Sequence, residues 1–220
     1  MTTPTNYTVT DGLAQVTLLE KRILAAIKIA IFDVITYEKV VSPKLEAEIK
    51  QAEKDIKGGY QSLTALIETR HAIKAAIIKV NAGIPPGTVL INTVTILGKE
   101  YTPAELIERK KSLVLEKNLL HKMKEANHQT EKALELKKVE YADKLERHIA
   151  NSVAAQGAKR DEAFVDKCTR EFSPANQPLR LDPLGLTKEI AKYEEYIDTF
   201  ESEIDRALSK FNATTLLEVV

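Results

Sequence analysis

Residues 94–113 read Val94-Thr95-Ile96-Leu97-Gly98-Lys99-Glu100-Tyr101-Thr102-Pro103-Ala104-Glu105-Leu106-Ile107-Glu108-Arg109-Lys110-Lys111-Ser112-Leu113, and this stretch decides the fold. Its first part is dense in β-branched residues and turns at Gly98-Lys99, which is strand chemistry. Thr102-Pro103-Ala104-Glu105 then opens a helix. Thr is the N-cap, Pro sits at the first helical position, and Glu at the third reaches back to the cap, so the free amides of the opening turn are satisfied. No Gly or Pro follows until Gly157. The spacing predicts one helix of about 50 residues, roughly 75 Å at 1.5 Å per residue. Such a rod is several times the usual length of about a dozen residues and must meet another helix or another chain.

Outward from the hairpin toward the N-terminus, Ile84-Pro85-Pro86-Gly87 cannot continue a helix. The β-branched run from Thr88 to Leu97 pairs either as 88–92 with 94–97, or as 94–97 with 100–102. A lone two-stranded hairpin is marginal in water, so helices or a neighbouring subunit must cover it. Leu63, Leu66, Ile67, Ile73, Ala76, Ile77 and Val80 predict a helix over 60–82 that stops at Asn81-Ala82-Gly83. Ser42-Pro43 starts a charged segment with Leu45, Ile49 and Ile56 as its narrow apolar stripe; Gly58-Gly59 either ends it or loosens one longer helix. Val16, Leu19, Ile23, Ile27, Ala30, Ile31, Val34 and Ile35 predict a first helix over about 11–40, capped by Thr10 or Asp11, with a wide apolar face. Residues 1–7 have neither a basic nor an apolar run, so no signal peptide is expected. The greasy stretch 23–35 carries Lys28 and Asp33 and is too short to span a bilayer.

Toward the C-terminus, the long helix is apolar in its first half (Leu106, Leu113, Leu119, Met123) and polar from His121 to Lys138. The column Leu106, Leu113, Leu120, Asn127, Leu134 recurs every seven residues. Its companion column holds Arg109, Glu116, Met123, Thr130 and Lys137, so a dry two-stranded zipper is not expected. Residues 159–172 predict a short helix and 173–186 a proline-rich loop or strap. Thr187 caps a last, acidic helix with Ile190, Tyr193, Ile197, Phe200, Ile204, Leu208 and Phe211 on one face. The predicted fold class is mainly α: an elongated antiparallel helical bundle or coiled coil with one small β-hairpin between long helices. Two domains are expected. Residues 1–122 form the bundle with its hairpin at about 88–102. Residues 123–220 form a coiled-coil-like arm from the second half of the long helix, the C-terminal helices and the apolar tail.

Composition narrows the function. In 220 residues, 32 Lys and Arg balance 32 Asp and Glu. No cation excess exists to neutralise phosphates, so no nucleic-acid partner is expected. Hydrophobic residues at 44% and charged ones at 29% mark a globular chain rather than a disordered one. Cys168 is the single cysteine, which excludes a disulfide scaffold and reads as a buried, inert thiol. Gly98-Lys99 lacks the upstream glycine and following Ser or Thr of a phosphate-binding loop. His121 and His128 stand roughly 10 Å apart along one helix and cannot share a metal. Glu125-Ala126-Asn127-His128 is a single Glu-x-x-His, without the second copy that a di-iron bundle needs. His71, at the edge of an apolar stripe, reads as half-buried packing. No catalytic residue, metal, cofactor or enzymatic activity is expected.

The run 94–113, together with Tyr60-Gln61-Ser62-Leu63 and Ile73-Lys74-Ala75-Ala76-Ile77 before it, resembles a strand–turn–strand–capped-helix element of phage-encoded, helix-rich virion or tail-associated structural proteins. More loosely it is similar to the bacterial septicolysin-like family, which also sets a small hairpin between long helices. The likeness spans about 60–120 and brings no catalytic residues with it. It implies a non-enzymatic structural component of a bacteriophage particle, made in the host cytoplasm and located in the virion. Copies of itself and other virion proteins are the implied partners. Val94, Ile96, Tyr101, Leu216 and Val219 are the expected interface contributors. The alternative is a phage or bacterial helical factor, such as a pore or toxin accessory, acting on a host protein or membrane through the first helix. Neither reading includes a membrane span.

Overall fold

The computed structural model describes residues 8–37, 43–84, 93–157 and 159–214. The chain is mainly α. In order its elements are α1 (Val9–Ile29), β1 (Val34–Tyr37), α2 (Pro43–Asn81), β2 (Val94–Ile96), β3 (Lys99–Tyr101), α3 (Pro103–Ser112), α4 (Val114–Gln156), α5 (Glu162–Asn176), β4 (Pro178–Leu181) and α6 (Leu186–Thr214). They cluster into two compact units, neither contiguous in sequence. One comprises Met1–Ala30, Gln61–Lys122 and Lys188–Val220, the other Ile31–Tyr60 and Met123–Thr187. Both α2 and α4 contribute residues to each.

In the first unit, β2 and β3 pair antiparallel with Val94 opposite Tyr101 and Ile96 opposite Lys99. This is the second of the two expected registers; residues 88–92 lie outside the described residues. Leu97 and Gly98 form the tip with φ of 46° and 76°, the left-handed pair that a tight hairpin turn demands. The Thr102 hydroxyl accepts from the Glu105 amide, and the Glu105 carboxylate accepts from the Thr102 amide at 2.8 Å, so the expected capping box is formed. Ile96, Leu106 and Leu113 pack with Ile197, Phe200, Ile204 and Ala207 of α6 into one core. The sequence expectation set α6 beside the second half of the long helix; its apolar face is committed to the hairpin, α3 and Leu113 instead. On the other side, α1 lays Gly12 against α2 so closely that a Cβ there would sit 3.1 Å from Ile77 Cδ1.

Helix boundaries moved where tertiary partners or side-chain bonds intervened. The first helix starts one cap earlier, with Thr8 and Asp11 forming a capping box, and it ends at Ile29 rather than near 40. The β-branched residues Val34, Ile35 and Thr36 become strand β1 because β4 offers them a ladder. Helix α2 runs unbroken through Gly58-Gly59. It closes at Gly83 (φ 68°), where the Gly83 amide donates to the Val80 carbonyl and the Ile84 amide to that of Lys79. That 5→2 and 6→1 pair is a Schellman motif. The predicted single rod is interrupted at Leu113. Ser112 Oγ donates to the Arg109 carbonyl at 3.2 Å, which also accepts from the Leu113 amide at 3.0 Å, so the side chain shares the last ladder acceptor of α3.

In the second unit, β1 and β4 pair antiparallel, with Val34 opposite Leu181 and Tyr37 opposite Pro178. This second two-stranded sheet was not expected. The strap predicted for 173–186 is in fact the end of α5, which carries Pro174 within it, followed by β4. Pro178 sits at the first position of its strand, where no ladder donor is lost. Asp33, next to β1, accepts from Thr130 Oγ1 of α4 at 2.9 Å and pairs with Arg180 of β4. Arg180 also donates to Asn127 at 2.6 Å. Burial raises the Asp33 pKa, against the opposing pull of Thr130 and Arg180. Phe172 of α5 stacks on His148 and Tyr141 of α4, and Cys168 is buried one helical turn away. Helix α6 begins at Leu186, whose amide donates to the Asp182 carboxylate, so Asp182 rather than Thr187 does the capping work.

Candidate functional site

The first unit contains a cavity of about 970 Å³. Helical spacing builds three of its walls. Thr64, Ile67, His71, Ala75 and Ile78 recur at three and four residues along one face of α2. Glu105, Glu108, Arg109, Ser112 and Glu116 do the same across α3 and the start of α4, and Glu189, Lys192, Tyr193 and Tyr196 along α6. Strand β3 adds Lys99, Glu100 and Tyr101.

Arg109 is the hub. Its guanidinium donates to Tyr196 Oη at 2.8 Å, to Ser112 Oγ at 3.3 Å and to His71 Nε2 at 2.7 Å. It pairs with Glu116 Oε1 at 2.9 Å and stands 5.1 Å from the centre of the Phe200 ring, in cation–π range. Tyr196 stacks on Phe200 and Tyr101 meets it edge-on, so the hub rests on an aromatic cluster. Burial opposes the charge on Arg109, but Glu116 and Tyr196 outweigh it and the pKa is raised. Tyr101 and Tyr196 are held above the ordinary phenol value, chiefly by burial.

Because a guanidinium has only donors, His71 Nε2 accepts and the ring proton sits on Nδ1. Burial first, then the charges of Arg109, Arg70 and Lys99, push the His71 pKa down to about 3. His71 is therefore neutral at physiological pH, and its lone pair is engaged by Arg109. That arrangement leaves it no free lone pair to act as a base. Deeper in the wall, Arg70 ties α1 to α3: Nε and Nη2 donate to Glu20 Oε1 at 3.0 and 2.7 Å, and Nη2 to Glu108 Oε1 at 3.1 Å. Two buried polar atoms of these wall residues have no hydrogen-bond partner, Arg70 Nη1 and Glu116 Oε2.

The residues expected at an interface fall in different places. Ile96 is 1% exposed in the core, and Val94 and Tyr101 are half-buried against it. Tyr101 also borders the cavity. Leu216 and Val219 lie outside the described residues. His121 and His128 are exposed on α4. Among the described residues no three His, Cys, Asp or Glu side chains converge on a metal-sized site, and no helix is long and apolar enough to cross a membrane. The hub was missed. Its signal was present as Arg109 and Glu116, opposite charges seven residues apart in a column that should have been apolar. Comparison of the chain with protein-family models, curated proteins and solved structures gives no match.

Proposed function

We propose that this chain is a non-enzymatic structural component of a bacteriophage particle and acts through protein–protein contacts. One observation carries the reading. On the charged second half of α4, Leu136 and Val139 stand one turn apart and remain 61% and 63% exposed. Single exposed apolar residues are ordinary, but a paired apolar step on an otherwise charged helix face is what a partner chain covers. The chemistry of the cavity agrees, since its histidine is held neutral with its lone pair engaged and its charges are tied to one another. Mass spectrometry of purified particles of the encoding phage tests the proposal. Stoichiometric presence supports it, and incorporation is expected to fall when Leu136 and Val139 are both changed to Glu. Absence from purified particles overturns it.

A second reading, a factor acting on a host protein or membrane, is favoured by one feature of α1. Between Leu13 and Ile29 its exposed residues include Leu13, Leu18, Leu24 and Ile29, and the exposed charges are Lys21, Arg22 and Lys28, while the one acid of the stretch, the partly exposed Glu20, is paired with Arg70. Basic amphipathic faces of this kind associate with anionic lipid surfaces. Sedimentation with anionic vesicles, compared with neutral ones, separates this reading from the first.

A further inference from the structure

We propose that the exposed stripe on the second half of α4 is a two-fold contact between copies of this chain, in which α4 pairs antiparallel with α4 of a second copy. The inference rests on the protein–protein contacts proposed above and deepens them, because it names what covers Leu136 and Val139. The placement of charges around that apolar step carries it.

Four residues make the stripe. Lys132, Leu136, Val139 and Asp143 follow one another at four, three and four residues, so they share one face of the helix. All four are exposed, and all lie in the second unit. The inward column is a different one. Leu134, Tyr141 and His148 are half-buried, and the rings of Tyr141 and His148 stack on Phe172. At 100° per residue the two columns stand on opposite sides of α4, so the side that packs on α5 leaves the stripe open.

The stripe reads cation, apolar, apolar, anion. Against a second copy running the opposite way, Leu136 meets the second copy's Val139, and Lys132 meets its Asp143. The axis passes between residues 137 and 138, so each contact is made twice, as a two-fold contact requires. The flanking positions agree with this register. Glu135 falls opposite Ala142 of the second copy and Glu140 opposite its Ala133, so no acid faces an acid. Glu135 is also answered within its own helix by Lys138 at 2.6 Å. Among the described residues, neither the Lys132 amine nor the Asp143 carboxylate is in an ion pair of its own chain.

Parallel pairing fails on the same residues. It sets Lys132 against Lys132, Asp143 against Asp143, and Glu135 against Glu140. Like charges along a seam repel, so the sequence favours one orientation and penalises the other. Only four apolar side chains are covered, which places the contact among small, weak interfaces. Repetition of copies at high local concentration makes such a contact effective.

Sedimentation equilibrium of the whole chain in low-salt buffer tests this, over about 10 μM to 1 mM, where weak association is read. A reversible monomer–dimer equilibrium is expected. Lys132→Asp and Asp143→Lys each turn both charge contacts from attractive to repulsive, and each is expected to weaken the dimer by about tenfold. The double variant restores both contacts and is expected to recover the dimer. An equimolar mixture of the two single variants is expected to form a mixed dimer tighter than either variant forms alone. Both positions are exposed, so the melting temperature of each variant is expected to match that of the unaltered chain. A chain that stays monomeric over the whole range overturns the proposal, and so does a dimer indifferent to the single changes or a double variant no tighter than the single ones. Mass spectrometry of particles reads the particle role separately, so the failure of one is distinguishable from the failure of the other.

Discussion

Replacing Arg109 by Leu removes the cation from the centre of the buried network. Glu116 is 5% exposed and its Oε1 loses the Arg109 guanidinium that stands 2.9 Å away. Breaking a buried pair by deleting one member costs about 3–5 kcal/mol, because the surviving charge stays desolvated. His71 Nε2 and Tyr196 Oη lose a hydrogen-bond partner as well, but these terms do not add in full, so the pair sets the scale. For a chain of this length, about 2–4 °C accompanies each kcal/mol, which predicts a fall in melting temperature of roughly 6–20 °C. The double variant Arg109→Leu, Glu116→Leu removes the stranded charge and is expected to recover most of the loss. Urea unfolding followed by circular dichroism, on wild type, both single variants and the double, gives the coupling energy. A loss below about 1 kcal/mol for Arg109→Leu would refute the reasoning, as would a double variant less stable than either single one.

Two further outcomes follow from the same structure. The His71 pKa is depressed from 6.5 to about 3, so the unfolded chain takes up this proton first as pH falls. The contribution of neutral His71 is therefore complete above about pH 6.5 and is lost toward pH 3, at about 1.4 kcal/mol per pH unit. His71→Gln, whose amide oxygen still accepts from Arg109, is expected to remove that part of the slope; an unchanged slope in acid urea titrations contradicts the assignment. Leu97 adopts a φ of 46° at the hairpin tip while half exposed, so it bears left-handed strain without burial in return. Leu97→Asn is expected to stabilise the chain by about 1 kcal/mol, read as a raised melting temperature, whereas a lowered one shows that the side chain is packed.

Local chemistry made several elements legible in the sequence. Thr102-Pro103-Ala104-Glu105 specifies its own cap, because the groups that satisfy one another are three residues apart. The turn at Gly98 and the stop at Gly83 need only a backbone free to take positive φ. The helical faces of α2 and α6 follow from apolar spacing alone. Strand β1 was illegible, because Val34-Ile35-Thr36 suits a helix or a strand and the choice was made by β4, more than a hundred residues away. Pro174 and Pro178 read as breakers until a helix end and a strand start were found for them.

What the sequence by itself determined is the set of mainly helical elements and most of their boundaries, since caps, turns and amphipathic periods are contacts within about four residues. Only the tertiary structure decided that His71, Arg109, Glu116 and Tyr196, drawn from four helices, share one buried network. A charge in an apolar column marks a conflict, but its partner is fixed by how helices pack, and no local spacing encodes that.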